Sequence, residues 1–297
     1  MRDPGEFILV CAGMFGAVVG SFLNVCIYRL PRQCLSIVKP RSRCPNCLKL
    51  IAWFDNLPVV SYIVLGGRCR GCKISISPRY PLVEMLTAAM FVFAAWRAVV
   101  GPVEWNVPEA WAKGFVLVVV TGLLIVATFI DWDFRIIPHE VTLGGLAFGL
   151  IVSTAFPGWH EWFRPFDLPR VGVLANQRWL AGLVAGLFGG FVGGGIIYVI
   201  GVIAEIAFRK EAMGFGDVLL MLFVGSLLGW RWVAYTFFLG CVFGAVGGSL
   251  TFLVKKDHYI AFGPYLAIGT LAVLFGGGVM LDDWLRPVFQ HVFGIRI

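Results

Sequence analysis

The chain has 297 residues, 59% of them hydrophobic and only 14% charged, with a mean hydropathy of +0.85. Soluble domains carry about a quarter charged residues, and here apolar runs of about 18 residues or more recur along the whole length, as in helices that span a bilayer. A soluble globule, a disordered chain and a secreted disulfide scaffold are excluded, which leaves a polytopic, all-α membrane protein. The net charge of +7 does not point to nucleic acid as a partner, because the basic residues cluster in particular loops.

The N-terminal segment carries Arg2 against Asp3 and Glu6. The first apolar stretch lacks a basic leader region and a small-x-small cleavage site, so it reads as a retained span and not as a removed signal peptide. Eight transmembrane helices are expected over residues 7–28, 81–100, 114–130, 139–156, 180–207, 216–230, 232–254 and 260–280. The organisation that follows is a first transmembrane helix (1–29), a cytoplasmic loop (30–79), a transmembrane core (80–280) and an extracytoplasmic tail (281–297). Glycine-rich stretches at 189–195 and 240–248 read as surfaces for close helix packing, not as phosphate loops.

Orientation follows from the basic residues. The loop after the first span holds Arg29, Arg32, Lys39, Arg41, Arg43, Lys49, Arg68, Arg70, Lys73 and Arg79 against one acid, Asp55, and is therefore expected to stay in the cytoplasm. Alternation places the connections at 131–138, 208–215 and 255–259 on the same side, and both termini outside. The loop is about 50 residues long and unlike its surroundings, so it carries a fold or function of its own.

Within it lie Cys44-Pro-Asn-Cys47 and Cys69-Arg-Gly-Cys72. Two CxxC pairs in a cytoplasmic segment point to a tetrahedral Zn²⁺ site, because each turn delivers two thiolates to one metal. Four sulfur ligands leave no position for water, so the zinc is structural and folds a loop too small and polar for its own core. Disulfides are disfavoured in a reducing compartment; a redox dithiol is the other alternative. Cys11, Cys26 and Cys241 read as small apolar residues within spans, and Cys34 has no assignment.

Two aspartates stand at the cytoplasmic ends of spans, Asp131 in Phe129-Ile130-Asp131-Trp132-Asp133 and Asp217 in Gly214-Phe215-Gly216-Asp217. Ionisable residues facing a bundle interior are functional candidates. Two close carboxylates share one proton; the ionised member activates water while the other polarises a scissile carbonyl. The glycines at 214 and 216 would let a substrate strand approach the backbone closely. On spacing alone Asp217 reads equally well as a helix cap, and Asp131 and Asp133 as a helix end at the lipid headgroups.

Taken together, the motifs resemble the type IV prepilin peptidases, over nearly the whole chain. The resemblance runs from Gly20-Ser21-Phe22-Leu23-Asn24 and Arg29-Leu30-Pro31-Arg32 through both cysteine pairs, Asp55-Asn56-Leu57-Pro58 and Arg79-Tyr80-Pro81-Leu82-Val83-Glu84. It continues through Asp131 to Ile137-Pro138 and Gly214-Phe215-Gly216-Asp217, and closes on Phe262-Gly263-Pro264-Tyr265. It implies an aspartyl endopeptidase of the bacterial inner membrane that cleaves the basic leader of prepilins or pseudopilins after glycine, just before their apolar helix. It further implies N-methylation of the new amino terminus with S-adenosylmethionine, at residues the sequence does not reveal. The catalytic pair maps onto Asp131 and Asp217, with Asp133 the weaker partner, and the tetracysteine set onto Cys44, Cys47, Cys69 and Cys72.

A basic loop is a poor dock for a basic leader; its charge serves topology and anionic lipid, and Glu140, Glu211 and Asp257 are better candidates to meet leader lysines. Two positions depart from the family pattern: Leu219 where lysine is usual, and His139 where Asp or Asn often follows Ile-Pro. Leu219 motivates an alternative, a protease-weakened paralogue acting as methyltransferase or assembly factor. A non-enzymatic scaffold or transporter is the third reading; Glu84 and Glu205 are the only acids well inside the expected spans, which argues against transport. Oligomeric state is not legible.

Overall fold

A computed structural model describes residues 4–32, 36–39, 41–102, 106–156, 158–161, 177–209, 213–255 and 261–277. Their regular secondary structure is helical apart from two isolated antiparallel bridges, with turns and irregular chain between. Helices occur at each of the eight expected segments: α1 (Pro4–Arg29), α3 (Arg79–Ala95), α4 (Pro108–Phe134), α5 (His139–Ala155), α7 (Arg178–Phe208), α8 (Phe215–Leu228), α9 (Trp230–Lys255) and α10 (Gly263–Ala272). Two short helices were not expected, α2 (Val60–Val64) in the polar loop and α6 (Gly158–Glu161) after α5. Single π-helical turns extend α3 through Trp96–Val100 and α10 through Val273–Gly277.

Among the described residues five helical segments are long and apolar enough to cross a membrane: Pro4–Arg32, Arg79–Val100, Pro108–Phe134, Arg178–Ala207 and Trp230–Leu250. His139–Ala155, Phe215–Leu228 and Gly263–Gly276 are apolar but shorter. The chain is a multi-pass membrane protein.

It divides into two compact units, Met1–Ile130 and Asp131–Ile297. In the first, α1 and α3 pack along a glycine seam. A Cβ on Gly16 would lie 2.8 Å from the Ala88 Cα, and one on Gly20 2.7 Å from the Glu84 Cα. Without a lipid-phase hydrophobic drive between helices, such backbone proximity is what holds spans together. The Asn24 amide donates to the Tyr80 carbonyl at 3.0 Å, and the Arg79 guanidinium to the Phe129 carbonyl at 3.1 Å.

In the second unit α8 is the central element, with α5, α7 and α9 packed on it. The backbones of Gly189 in α7 and Gly225 in α8 meet directly, and Gly145 of α5 seats the Phe223 ring. The second glycine-rich stretch packs α9 on α10: a Cβ on Gly240 would fall 2.8 Å from Leu266 Cδ2. Both stretches are therefore packing surfaces, as expected. At the far end of α8 the Trp159 indole donates to the Leu227 carbonyl at 2.9 Å. The Ser153 hydroxyl donates to the Ser226 carbonyl at 2.8 Å and lies 3.1 Å from His160 Nε2.

Candidate active site and metal centre

The polar loop of the first unit folds into two matching knuckles. Each cysteine pair sits in a turn closed by one antiparallel bridge, Arg43 with Leu50 and Arg68 with Ser75. In each, the first cysteine's N–H donates five residues ahead, Cys44 to Lys49 at 3.0 Å and Cys69 to Ile74 at 2.9 Å. The residue after the second cysteine is left-handed in both, Leu48 at φ 58° and Lys73 at φ 59°. This symmetry turns all four sulfurs inward, so that the Sγ atoms of Cys44, Cys47, Cys69 and Cys72 lie within 4.8 Å of one another.

Tetrahedral Zn–S bonds of about 2.3 Å require sulfurs about 3.8 Å apart, and Cys44 Sγ to Cys72 Sγ is 3.8 Å. The donor set thus fits a metal such as zinc. The Ile74 N–H and the Asn46 side chain hold the Cys72 thiol down at about 6, which favours the thiolate a metal needs. Arg70 pairs with Asp55 at 2.7 Å, holding that carboxyl below its usual range and tying the second knuckle to the short turn Trp53–Asn56. Glu84 of α3 accepts the Val59 N–H at 2.8 Å, anchoring the start of α2. Neither Glu84 nor Arg70 had been given this clamping role by sequence reasoning, because their partners lie 25 and 15 residues away.

In the second unit the two aspartates are buried, Asp131 at 6% exposure and Asp217 at 9%. Asp131 sits in the last turn of α4, closed by Arg135 in left-handed conformation (φ 57°), whose N–H donates to the Asp131 carbonyl at 2.8 Å. Asp131 Oδ2 accepts the N–H of Gly263, the first residue of α10, at 3.1 Å. Asp217 is the third residue of α8; Gly214 is the N-cap and makes no side-chain cap. The Asp217 carboxylate accepts the N–H of that N-cap glycine, so a capping role describes this position as well as a catalytic one does.

Ile137 joins the segments: Cβ atoms on Gly216 and on Gly263 would each lie 3.1 Å from its side chain. Gly214 and Gly216 stand beside Asp217, and Asp133, His139 and Glu140 are exposed at the same chain region. Glu211, Asp257 and Cys34 lie outside the described residues. Cys26 is buried in α1, Cys11 exposed there, and Cys241 half-buried in α9. Glu205 is exposed on α7. The glycine-rich stretches are used in helix packing, so they form no nucleotide-type loop among the described residues.

The chain is thus a helical membrane protein with a cysteine cage in one unit and two buried aspartates at helix ends in the other. Residues 14–98 match the Bacterial Peptidase A24 N-terminal domain and residues 117–249 the Type IV leader peptidase family. The chain is 33% identical to a prepilin leader peptidase/N-methyltransferase of Stutzerimonas stutzeri, over 92% of each chain, and 33% identical to one of Pseudomonas putida, over 95% of each. It is also 33% identical to a type 4 prepilin-like proteins leader peptide-processing enzyme of Escherichia coli O78:H11, over 90% of this chain and 93% of the relative. No solved structure matches. The chain belongs to the type IV leader peptidase family.

Proposed function

We propose that this protein is a prepilin leader peptidase and N-methyltransferase, cutting the basic leader of prepilins or pseudopilins after glycine at the cytoplasmic face of the bacterial inner membrane. The observation that supports this reading is the burial of Asp131 and Asp217 in the unit that carries most of the peptidase match, with Ile137 packed against both Gly216, next to Asp217, and Gly263, which binds Asp131. One carboxylate takes a proton from water as the oxygen bonds to the scissile carbonyl carbon. The other, holding the shared proton, gives it to the carbonyl oxygen. Collapse of the tetrahedral carbon breaks the C–N bond, and the leaving amine takes up the proton that water lost.

In this reading α5, α8 and α10 join the five long helices as eight spans, with the knuckles cytoplasmic and zinc-filled. Zinc, when bound, supplies folding free energy to the loop and no chemistry on the substrate. Gly214 and Gly216 leave room for an extended substrate strand beside Asp217, and Glu140, exposed in the first turn of α5, faces the solvent from which a basic leader arrives; Glu211 is proposed for the same role. S-adenosylmethionine is the methyl donor for the second step. The half-buried Leu219, two residues beyond Asp217 in α8, supports the protease-weakened alternative.

Purified protein is assayed on a prepilin-like peptide with a basic leader and an apolar helix, beside Asp131→Asn, Asp217→Asn and Leu219→Lys, with and without S-adenosylmethionine. Cleavage by the unsubstituted enzyme but neither Asn variant, with a gain of one methyl mass, is expected. Cleavage by Leu219→Lys alone selects the weakened paralogue, and cleavage surviving either Asn variant removes the dyad.

A further inference from the structure

We infer that Gly263 is a positioning residue for proteolysis: its N–H holds one oxygen of Asp131, and its missing side chain is what allows that carboxyl to stand there. The inference rests on the dyad reading above. Gly263 N donates to Asp131 Oδ2 at 3.1 Å across 132 residues of chain, in a buried setting. A Cβ at this position would sit 2.7 Å from the same Oδ2, 3.2 Å from the Asp131 Cγ and 3.1 Å from Ile137 Cδ1. Real Cβ atoms do not approach an oxygen that closely, so any side chain must push the carboxyl away or move the start of α10. Gly263 is itself buried and followed by Pro264 at the second helical position, which fixes the direction of the first turn.

The consequence for Asp131 is a division of labour between its oxygens. Oδ2 is committed to the peptide N–H, which leaves Oδ1 as the oxygen available for the reaction. A carboxylate on the end of a rotatable side chain otherwise samples orientations that do not align with the substrate, and misplacement by about 1 Å costs on the order of 100-fold in rate. Gly263 belongs to the Phe262-Gly263-Pro264-Tyr265 run, far from either aspartate in sequence. The turn is thus a third wall of the site, contributed by backbone alone.

Gly269 supplies the control. It lies on the same helix, and a Cβ there would press on the Thr236 carbonyl oxygen at 2.7 Å and the Gly240 nitrogen at 3.0 Å, a heavier steric insult, against backbone, without contact to Asp131. Cleavage of the prepilin-like peptide by Gly263→Ala and Gly269→Ala is measured as kcat and KM, with melting temperature recorded for both. Gly263→Ala is expected to lose about 100-fold in kcat with KM within about twofold, and Gly269→Ala to lose stability with kcat largely kept. Equal kcat losses in the two, or full kcat in Gly263→Ala, overturn the inference. Should Gly263→Ala not fold, amide exchange decides: the peptide containing residue 263 exchanges faster in Asp131→Ala than in Asp217→Ala, and equal exchange refutes the contact. Cleavage by Asp131→Asn would instead bring down the dyad reading itself, an outcome separate from either.

Discussion

Burial of His160 ties stability to pH. The residue lies in α6, in the connection beyond α5, at 3% exposure, and removal from water pushes its imidazole down to about 4. An unfolded histidine titrates near 6.5, so between these values the unfolded chain binds the proton and the folded one does not. Stability is therefore complete above about pH 6.5 and falls as the pH drops toward 4, by about 3 kcal/mol in all. A melting series of the detergent-solubilised protein should show this slope, and His160→Gln should flatten it; an unchanged slope would place the acid sensitivity elsewhere. His160 had no reading in the sequence, where a lone histidine beside tryptophan in a connection has no periodicity to mark it. Asp131 and Asp217 were legible because a charge at the end of an apolar run is conspicuous, whereas the N–H that grips Asp131 belongs to a glycine 132 residues later. Backbone donors carry no sequence signal of their own.

Among elements, the paired knuckles are the part most nearly written in the sequence. Four cysteines in two CxxC turns specify the cage, and the structure adds the matching bridges and left-handed residues that aim the sulfurs. One zinc per chain is expected by elemental analysis, and Cys44→Ser or Cys72→Ser should lose it. With it should go protease resistance over residues 41–78, since metal binding contributes about 10 kcal/mol or more to such a fold; a fully protected loop in metal-free protein would contradict this. The α7–α8 seam makes a second test. Gly189 and Gly225 allow backbone contact that no side chain tolerates, so Gly225→Leu should destabilise by about 3 kcal/mol while Gly195→Ala, which faces open space, should be nearly silent. The glycine-rich stretches announced close packing, but not which helix each would meet; partner choice is a property of the assembled unit. The short α2 and α6 went unread because helices of 5 and 4 residues are too brief to show a hydrophobic period.

Across the whole molecule, apolar run length located the helices to within a few residues, because bilayer thickness leaves few choices of where a span begins and ends. The proposed orientation rests on the ten basic residues from Arg29, at the end of α1, to Arg79, at the start of α3. A biotin-acceptor peptide inserted after Lys39 should be modified by a ligase confined to the cytoplasm, and one inserted between α6 and α7 should not; the reverse pattern would invert the proposed topology.

The three short helices of the second unit carry a consequence for the lipid. At 1.5 Å per residue, the 14 residues of α8 rise about 21 Å, against a hydrocarbon core of about 30 Å, and α5 and α10 fall short as well. If α8 is inserted beside α7 and α9, whose 31 and 26 residues do reach across such a core, its ends stop short of at least one headgroup layer, and the bilayer would thin or water would enter to fill the difference. For the proposed dyad, hydrophobic mismatch would then be a means of irrigation, with the membrane's own elasticity admitting the water that the reaction consumes.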